Sequence, residues 1–432
     1  MKTNTNIYPS YKHSGVEWLG EVPEHWENIR MKHLFRDYSE KNKPNEELLS
    51  VTQNQGVVPR TWVENRMVMP SGALESFKFI NKGDFAISLR SFEGGLEYCH
   101  HDGIISPAYT VLKTKRIISE LFYKYLFKSF SFISELQTSV VGIREGKNIS
   151  YPELSYSFLP VPPLPEQTAI ATFLDRKTAL IDQAIGIKQK QIELLKERRQ
   201  ILIHKAVTRG LNPNVKMKDS GVEWIGEIPE DWEVKKIKQI VEQSFSGGTP
   251  STDKLNFWDG GIPWASSVDI KTDYLCETTR EISLMGLNRS SAKIVPKGAI
   301  LFVTRSGILQ HTFAITISNI EMAINQDIKC LILSNDILPE YFQKIIKGNN
   351  SQILVEVRQQ AATVESIDME AFFNLSLPLP KCQEQKRILE YIESTTTKIA
   401  SAISLKEKEI EKLKEYKATL INSAVTGKIK VI

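Results

Sequence analysis

One fourteen-residue segment occurs twice in this chain. Ser14-Gly15-Val16-Glu17-Trp18-Leu19-Gly20-Glu21-Val22-Pro23-Glu24-His25-Trp26-Glu27 returns 206 residues later, with Ile225, Ile228 and Asp231 replacing Leu19, Val22 and His25. A second match follows at a spacing of 218: Pro160, Pro162, Glu166 and Gln167 return as Pro378, Pro380, Glu384 and Gln385. At the same 218, Leu202-Ile203 with Ala206-Val207-Thr208 returns as Leu420-Ile421 with Ala424-Val425-Thr426. Two half-chains of one plan predict two similar modules related by a pseudo-two-fold axis. That arrangement suits a partner with two separated sites.

At 432 residues the chain is long enough for two or more cores. A net charge of +4 tolerates nucleic-acid binding without demanding it, since local patches matter more than the sum. Cys99, Cys276, Cys330 and Cys382 are scattered with no Cys-x-x-Cys pair, which argues against a disulfide framework or a zinc site. No apolar run reaches membrane-spanning length and Met1 to Pro9 has no signal-peptide core, so a cytoplasmic protein without membrane contact is expected.

Each half reads as a globular module followed by a long helix. In the first module, strand-like runs occur at Leu48–Thr52, Lys82–Leu89 and Ile104–Leu112, and Glu120–Leu136 has a helical apolar pattern, which predicts an α+β module. The cluster Pro160 to Pro165 ends it. From Glu166 to Thr208 no proline interrupts, and Gly210 closes the run. A seven-residue register places Ala171, Thr178, Ile185, Ile192 and Arg199 on one row, and Leu174, Ile181, Lys188, Leu195 and Leu202 on its partner. The second half repeats it with Leu389, Thr396, Ile403, Ile410 and Lys417, and with Ile392, Ile399, Lys406, Leu413 and Leu420. This is a coiled-coil seam with a lysine at the same core position of both copies. An amphipathic helix packed on its own module is the alternative. Against it stands length, because about 40 residues make ~60 Å of helix, more than a small domain spans. Paired antiparallel, the two helices would hold the modules at opposite ends of a rod. The expected divisions are 1–159, first module; 160–210, first helical region; 211–377, second module; and 378–432, second helical region.

The candidate contact residues are polar groups on loops. Gly247-Gly248-Thr249-Pro250-Ser251 precedes an aromatic stretch containing Trp258, Trp264 and Ser266, and Ser246, Thr249, Ser251 and Ser266 carry hydroxyls able to donate to phosphates or base edges. Trp258 and Trp264 themselves read as core. Lys82-Gly83-Asp84-Phe85 with Arg90-Ser91 matches Lys297-Gly298-Ala299-Ile300 with Arg305-Ser306, so each module ends a strand in an Arg-Ser pair. Arginine there suits guanine or phosphate, unless it simply pairs with a carboxylate such as Glu93. Gln310 and Asn325-Gln326 in the second module, and Gln53-Asn54-Gln55 in the first, are amides of the kind that pair with adenine. Arg60, Arg144 and Lys147 complete the set in the first module.

Catalytic motifs are missing. There is no Asn/Asp-Pro-Pro-aromatic tetrapeptide, no His-Glu-x-x-His and no Gly-x-Ser-x-Gly. Gly142 to Asn148 fails as a phosphate loop because Val141 stands where glycine is required and Asn148 where a hydroxyl is. His100-His101 reads as loop rather than ligand pair. A chain that recognises and organises, without catalysing, is expected. A duplicated DNA-binding regulator and a coiled-coil protein-binding scaffold are the competing readings, though no compact helix-turn-helix or ligand domain is evident.

Taken together, the repeated Ser-Gly-Val-Glu-Trp opening, the Gly-Gly-Thr-Pro-Ser loop, the Lys-Gly-Asp turn, the Pro-Leu-Pro-x-x-Glu-Gln helix start and the Ala-Val-Thr helix end resemble the specificity subunits of type I restriction–modification systems. The resemblance spans essentially the whole chain. It implies two target recognition domains, each reading one half of a split, asymmetric sequence in double-stranded DNA, with two antiparallel coiled-coil helices as spacer and docking platform. It also implies two copies of a methyltransferase subunit and a restriction/translocase subunit as partners. S-adenosylmethionine, ATP and Mg would belong to those partners and none to this chain. The first module departs from the pattern: it lacks the Gly-Gly-Thr-Pro loop and has Gly103 to Tyr109 where the second has Met322 to Gln326. The two modules are therefore expected to read different half-sites.

Overall fold

The computed structural model describes residues 7–63, 74–89, 91–141, 148–359 and 364–431. The chain forms two compact units, residues 1–189 with 406–432 and residues 190–405. Each of the two long helices therefore begins in one unit and ends in the other. No helix among the described residues is long and apolar enough to cross a membrane.

In the first unit a four-stranded antiparallel sheet runs in the order Phe35–Tyr38, Thr110–Thr114, Phe85–Ile87, Glu97–Tyr98. Its core is aromatic: Phe35, Phe85, Tyr123 and Phe127 meet edge-on or tilted, with ring centroids 4.9–5.7 Å apart. The helical pattern over Glu120–Leu136 resolves into two helices, Glu120–Leu126 and Phe130–Thr138. Ser129 is the reason, because its hydroxyl caps the second helix by accepting from Phe132 N–H.

The second unit repeats this frame with a different core. Val241–Ser246, Ile328–Leu333, Ile300–Val303 and Ile315–Ser318 form an antiparallel sheet, and Tyr274–Leu275 adds in parallel at its edge. A further four-stranded sheet runs Arg280–Ile282, Trp258–Ala265, Met322–Ile324, Lys293–Val295. The entry strands keep one register in both copies: Arg30 faces Phe158 as Lys236 faces Ser376, and Asn28 faces Pro160 as Val234 faces Pro378. The change of spacing from 206 to 218 is thus taken up by residues inserted within the second module.

The long helices run Leu164–Arg209 and Cys382–Val425, about 69 and 66 Å at helical rise. The repeated glutamine sets where each begins. Gln167 donates to Pro162 O at 2.8 Å and accepts from Ser119 N–H at 2.8 Å. Gln385 does the same with Pro380 O and Leu338 N–H, at 2.9 Å each. Both amides are buried, and each ties a helix start to a shorter helix of its own module.

Pairing is antiparallel. In the first unit Asp182 meets Lys417 at 2.7 Å and Lys188 meets Glu409 at 2.6 Å, so the numbering rises on one helix as it falls on the other. In the second unit Ile203, Ala206 and Val207 share a core with Ile388 and Ile392. Every position of the sequence-derived seam, from Leu174, Ile181, Ile185, Ile192, Leu195 and Leu202 to Ile392, Ile399, Ile403, Ile410, Leu413 and Leu420, is buried or half-buried. A second row on the first helix escaped the sequence reading: Leu180, Ile187, Leu194 and Ile201, seven residues apart, are 44–55% exposed.

Candidate nucleic-acid interface

In the second unit the glycine-rich loop lies against the strand Met322–Ile324. Gly247 and Gly248 N–H donate to Asn325 O and Ile324 O at 3.2 and 3.0 Å. A Cβ on Gly247 would stand 1.8 Å from Ile324 O, so only glycine allows this approach. The two tryptophans pin the loop from below. Trp258 Nε1 donates to Ser251 O and Trp264 Nε1 to Gly248 O, both at 3.1 Å, while the rings pack edge-on at 5.2 Å. Arg280, opposite Trp264 across the strands, lays its guanidinium 3.7 Å over the Trp258 ring.

Beside this loop the amides and the arginine converge. Thr249 Oγ1 donates to Gln326 Oε1 at 2.7 Å. Asn325 Oδ1 accepts from Asp327 N–H at 3.1 Å, and Arg305 Nε donates to Asp327 Oδ1 at 3.0 Å. The carboxylate thus fixes a guanidinium that is itself exposed. Ser266 flanks the group with Asp269. Burial pushes the Asp269 carboxyl up, but hydrogen bonds from Ser266 and Thr279 outweigh it and hold the group below its ordinary value.

In the first unit the corresponding feature is a cleft of about 760 Å³ whose walls include Gln53, Asn54, Gln55, Trp62, Ser88 and Tyr109. The three amides form the exposed tip of the hairpin Leu49–Thr52/Gly56–Pro59, closed by Thr52 Oγ1, which donates to Gly56 O at 2.9 Å and accepts from Gln55 N–H at 3.1 Å. Trp62 projects from the opposite wall, 62% exposed, against His101 at 5.0 Å. An exposed indole and three amides around one cleft give a stacking face and hydrogen-bonding edges, the two ways a base is held.

Residues 229–415, which take in most of the second unit and the next ten residues of the second long helix, match the model of the type I restriction modification DNA specificity domain. The chain is 27% identical to the type I restriction enzyme MjaVIII specificity subunit of Methanocaldococcus jannaschii, over 95% of this chain and 94% of that one. Over nearly its whole length the chain is thus similar to type I restriction–modification specificity subunits. It is also 29% identical to the EcoR124I/EcoR124II specificity subunit of Escherichia coli, where the match spans 60% of each chain. The fold is shared with a chain from a structure on assembly and conformational transition of the type I R-M system, at TM-score 0.67 and 15% identity over 94% of this chain and 98% of that one. It is shared too with the HsdS subunit of Thermoanaerobacter tengcongensis, at TM-score 0.57 and 15% identity over 96% and 100%.

Within the chain the sequence-derived residues fall into distinct places. Thr249, Arg305, Asn325 and Gln326 come together, and Gln53, Asn54 and Gln55 share the other cleft. Ser246 is half-buried at its strand end, Ser251 is exposed beside the loop, and Ser266 is held by Asp269. Ser306 accepts from Ile308 N–H at a helix start, and Gln310 lies apart, its carbonyl accepting from Arg358. Arg60 is half-buried and reaches Ser50 Oγ at 3.4 Å. Ser91 is buried, accepting from Ser88 N–H, so its hydroxyl serves the turn. Arg90, Arg144 and Lys147 lie outside the described residues. Sequence reasoning missed Trp62, Tyr109 and Arg280. The two tryptophans are core, as read, but their indole N–H groups also shape the loop, which no spacing signalled.

Proposed function

We propose that this chain is the DNA-reading subunit of a type I restriction–modification complex, in which each unit recognises one half of a bipartite, asymmetric sequence in double-stranded DNA. One observation carries the reading: a duplicated frame in identical register bears two unlike loop sets, amides with an exposed indole in one unit and hydroxyls, amides and an arginine in the other. Like frames with unlike loops are what a reader of two different half-sites requires. The chain would not itself catalyse. Two copies of a methyltransferase subunit would supply the adenine chemistry with S-adenosylmethionine, and a restriction/translocase subunit would bring ATP and Mg. The exposed row Leu180, Ile187, Leu194 and Ile201 offers such partners an apolar face at coiled-coil spacing.

The test is a module exchange. Replacing residues 28–158 with the equivalent module of another specificity subunit, followed by methylation mapping of host DNA, is expected to change one half-site and leave the other intact. A change in both halves, or in neither, would refute the two-reader assignment.

A further inference from the structure

A row of cations resting on aromatic rings crosses the first unit and ends beside its cleft. Lys32 lies 4.2 Å over the Tyr156 ring, and Arg30 stands 5.7 and 5.3 Å from the Tyr156 and Phe158 rings. One strand further, Arg36 and Lys113 both lie over Tyr38, at 5.5 and 4.2 Å. Lys43 then sits 3.6 Å over Phe79, and the neighbouring Lys78 donates to the carbonyl of Tyr109, a residue of the cleft wall. Arg36 and Lys113 are direct cross-strand partners, an arrangement of like charges that costs stability. Among the described residues Arg30, Lys32 and Arg36 have no carboxylate partner. The nearby acids compensate Lys43 and Lys113 but leave Arg30, Lys32 and Arg36 uncancelled. Glu40 is engaged by Lys43 and Tyr38, Asp84 faces Lys113 at 3.5 Å, and Asp37 alternates to the other side of its strand.

We infer that this row is a phosphate track, which holds the DNA backbone beside the first unit's cleft and makes that unit the electrostatic anchor of the complex. The inference rests on the DNA-reading function proposed above. Rings beneath the cations restrict their motion, so less side-chain entropy is lost on meeting a phosphate, and Arg30, Lys32 and Arg36, which no carboxylate among the described residues engages, supply the phosphate contacts. The second unit has cations over rings elsewhere, such as Arg280 on Trp258 and Lys293 on Phe245, but among the described residues none at the equivalent frame positions. In the shared frame Lys236 and Lys238 replace Arg30 and Lys32, but Glu242, Ser244, Asn374 and Ser376 stand for Arg36, Tyr38, Tyr156 and Phe158. Lys238 is drawn to Asn374 Oδ1 at 2.9 Å instead of lying on a ring.

The experiment measures binding of the full-length chain to a random-sequence duplex across a salt series. Arg30→Gln/Lys32→Gln/Arg36→Gln should lower the slope of log affinity against log salt by about 2–3, near one per phosphate contact. Lys236→Gln/Lys238→Gln should lower it less. A charge-keeping Arg30→Lys/Arg36→Lys chain should retain the slope, which separates lost charge from lost folding. A wild-type chain with no salt-dependent binding would overturn the DNA reading itself. A steep wild-type slope left unchanged by the triple substitution would overturn the track alone, and so would an unchanged slope accompanied by loss of co-purifying protein, since the row would then face an acidic protein surface.

Discussion

Lys128 holds the first unit's cleft together from behind. Its ammonium donates to Gln53 O at 3.2 Å, to Gly94 O at 2.9 Å and to the buried carboxylate of Glu97 at 2.6 Å. Burial pushes the Glu97 carboxyl above its ordinary value, Lys128 pulls it back, and the second oxygen is buried with no partner among the described residues. Lys128→Met therefore leaves a buried charge without compensation, which should cost about 3 kcal/mol at neutral pH. The sign of the pH effect follows. Without the lysine the folded carboxyl binds its proton more tightly than the unfolded one, so the deficit is largest above its raised pKa and shrinks as the pH falls through it. Urea denaturation of both chains between pH 7 and pH 4 checks this, and a deficit that did not narrow would show Glu97 to be uninvolved. None of this was legible in the sequence, where Lys128 and Glu97 stand 31 residues apart with no motif around either. The amides at Gln53–Gln55 were legible as candidates because three in a row beside a turn glycine have few structural uses. Ser91 misled because a hydroxyl after an arginine looks the same whether it faces a ligand or closes a turn.

The paired helices carry a polar layer within the first unit. Lys188 and Lys406, the lysines at the equivalent core position of each copy, converge on one carboxylate, Glu409, at 2.6 and 3.2 Å. Their hydrogen bonds hold Glu409 below its ordinary pKa. Like the Asp182–Lys417 pair further along, such an ionic layer in a largely apolar seam fixes register at a cost in stability, because sliding either helix would strand the charges. Lys188→Leu/Lys406→Leu/Glu409→Gln is accordingly expected to raise the urea midpoint while light scattering reveals mixed association states. Glu409→Leu alone should lower the midpoint by leaving two ammonium groups together. A triple variant that is both less stable and strictly uniform in mass would contradict this role. The seam was legible because a strict seven-residue period has few other causes. The second, exposed row was not, since Leu180, Ile187, Leu194 and Ile201 share that period and only packing distinguishes the row that is covered. The break at Phe127–Ser129 was hidden for a related reason: apolar periodicity continues through it, and only the Ser129 cap marks the new start.

Across the whole molecule the duplication was the most legible feature and the loops the least. Of the twelve residues by which the second repeat is longer, nine fall between the matched pairs Tyr38/Ser244 and Lys82/Lys297. That interval contains the glycine-rich loop and its tryptophans, whose conformation depends on packing from Arg280 and Ile324 that no local pattern encodes. The frame has one more consequence. Gly210, at the end of the first helix, sits against Trp232 and Pro229 at φ +71°, and Gly427, at the end of the second, sits against Trp26 and Pro23 at φ +74°. Both use the left-handed conformation that stops a helix, and each packs against the same repeat segment, which only Gly210 precedes in sequence. Between Gly210 and the strand Met217–Asp219 six residues suffice. From Gly427 to the equivalent strand Tyr11–His13, joining Ile432 to Ile7 would supply nine. The order of module and helix is thus cyclic, and Gly427 stands opposite a place that the other repeat bridges with a short exposed linker. A chain closed from Ile432 to Ile7 and opened between Pro213 and Asn214, which are exposed, should fold with a thermal midpoint within a few degrees of the parent. Methylation mapping should return the same two half-sites in the same order along the DNA. Aggregation of that chain, or a changed motif, would mean that the link at residues 211–216 does more than connect, and that the two repeats are not equivalent in assembling the fold.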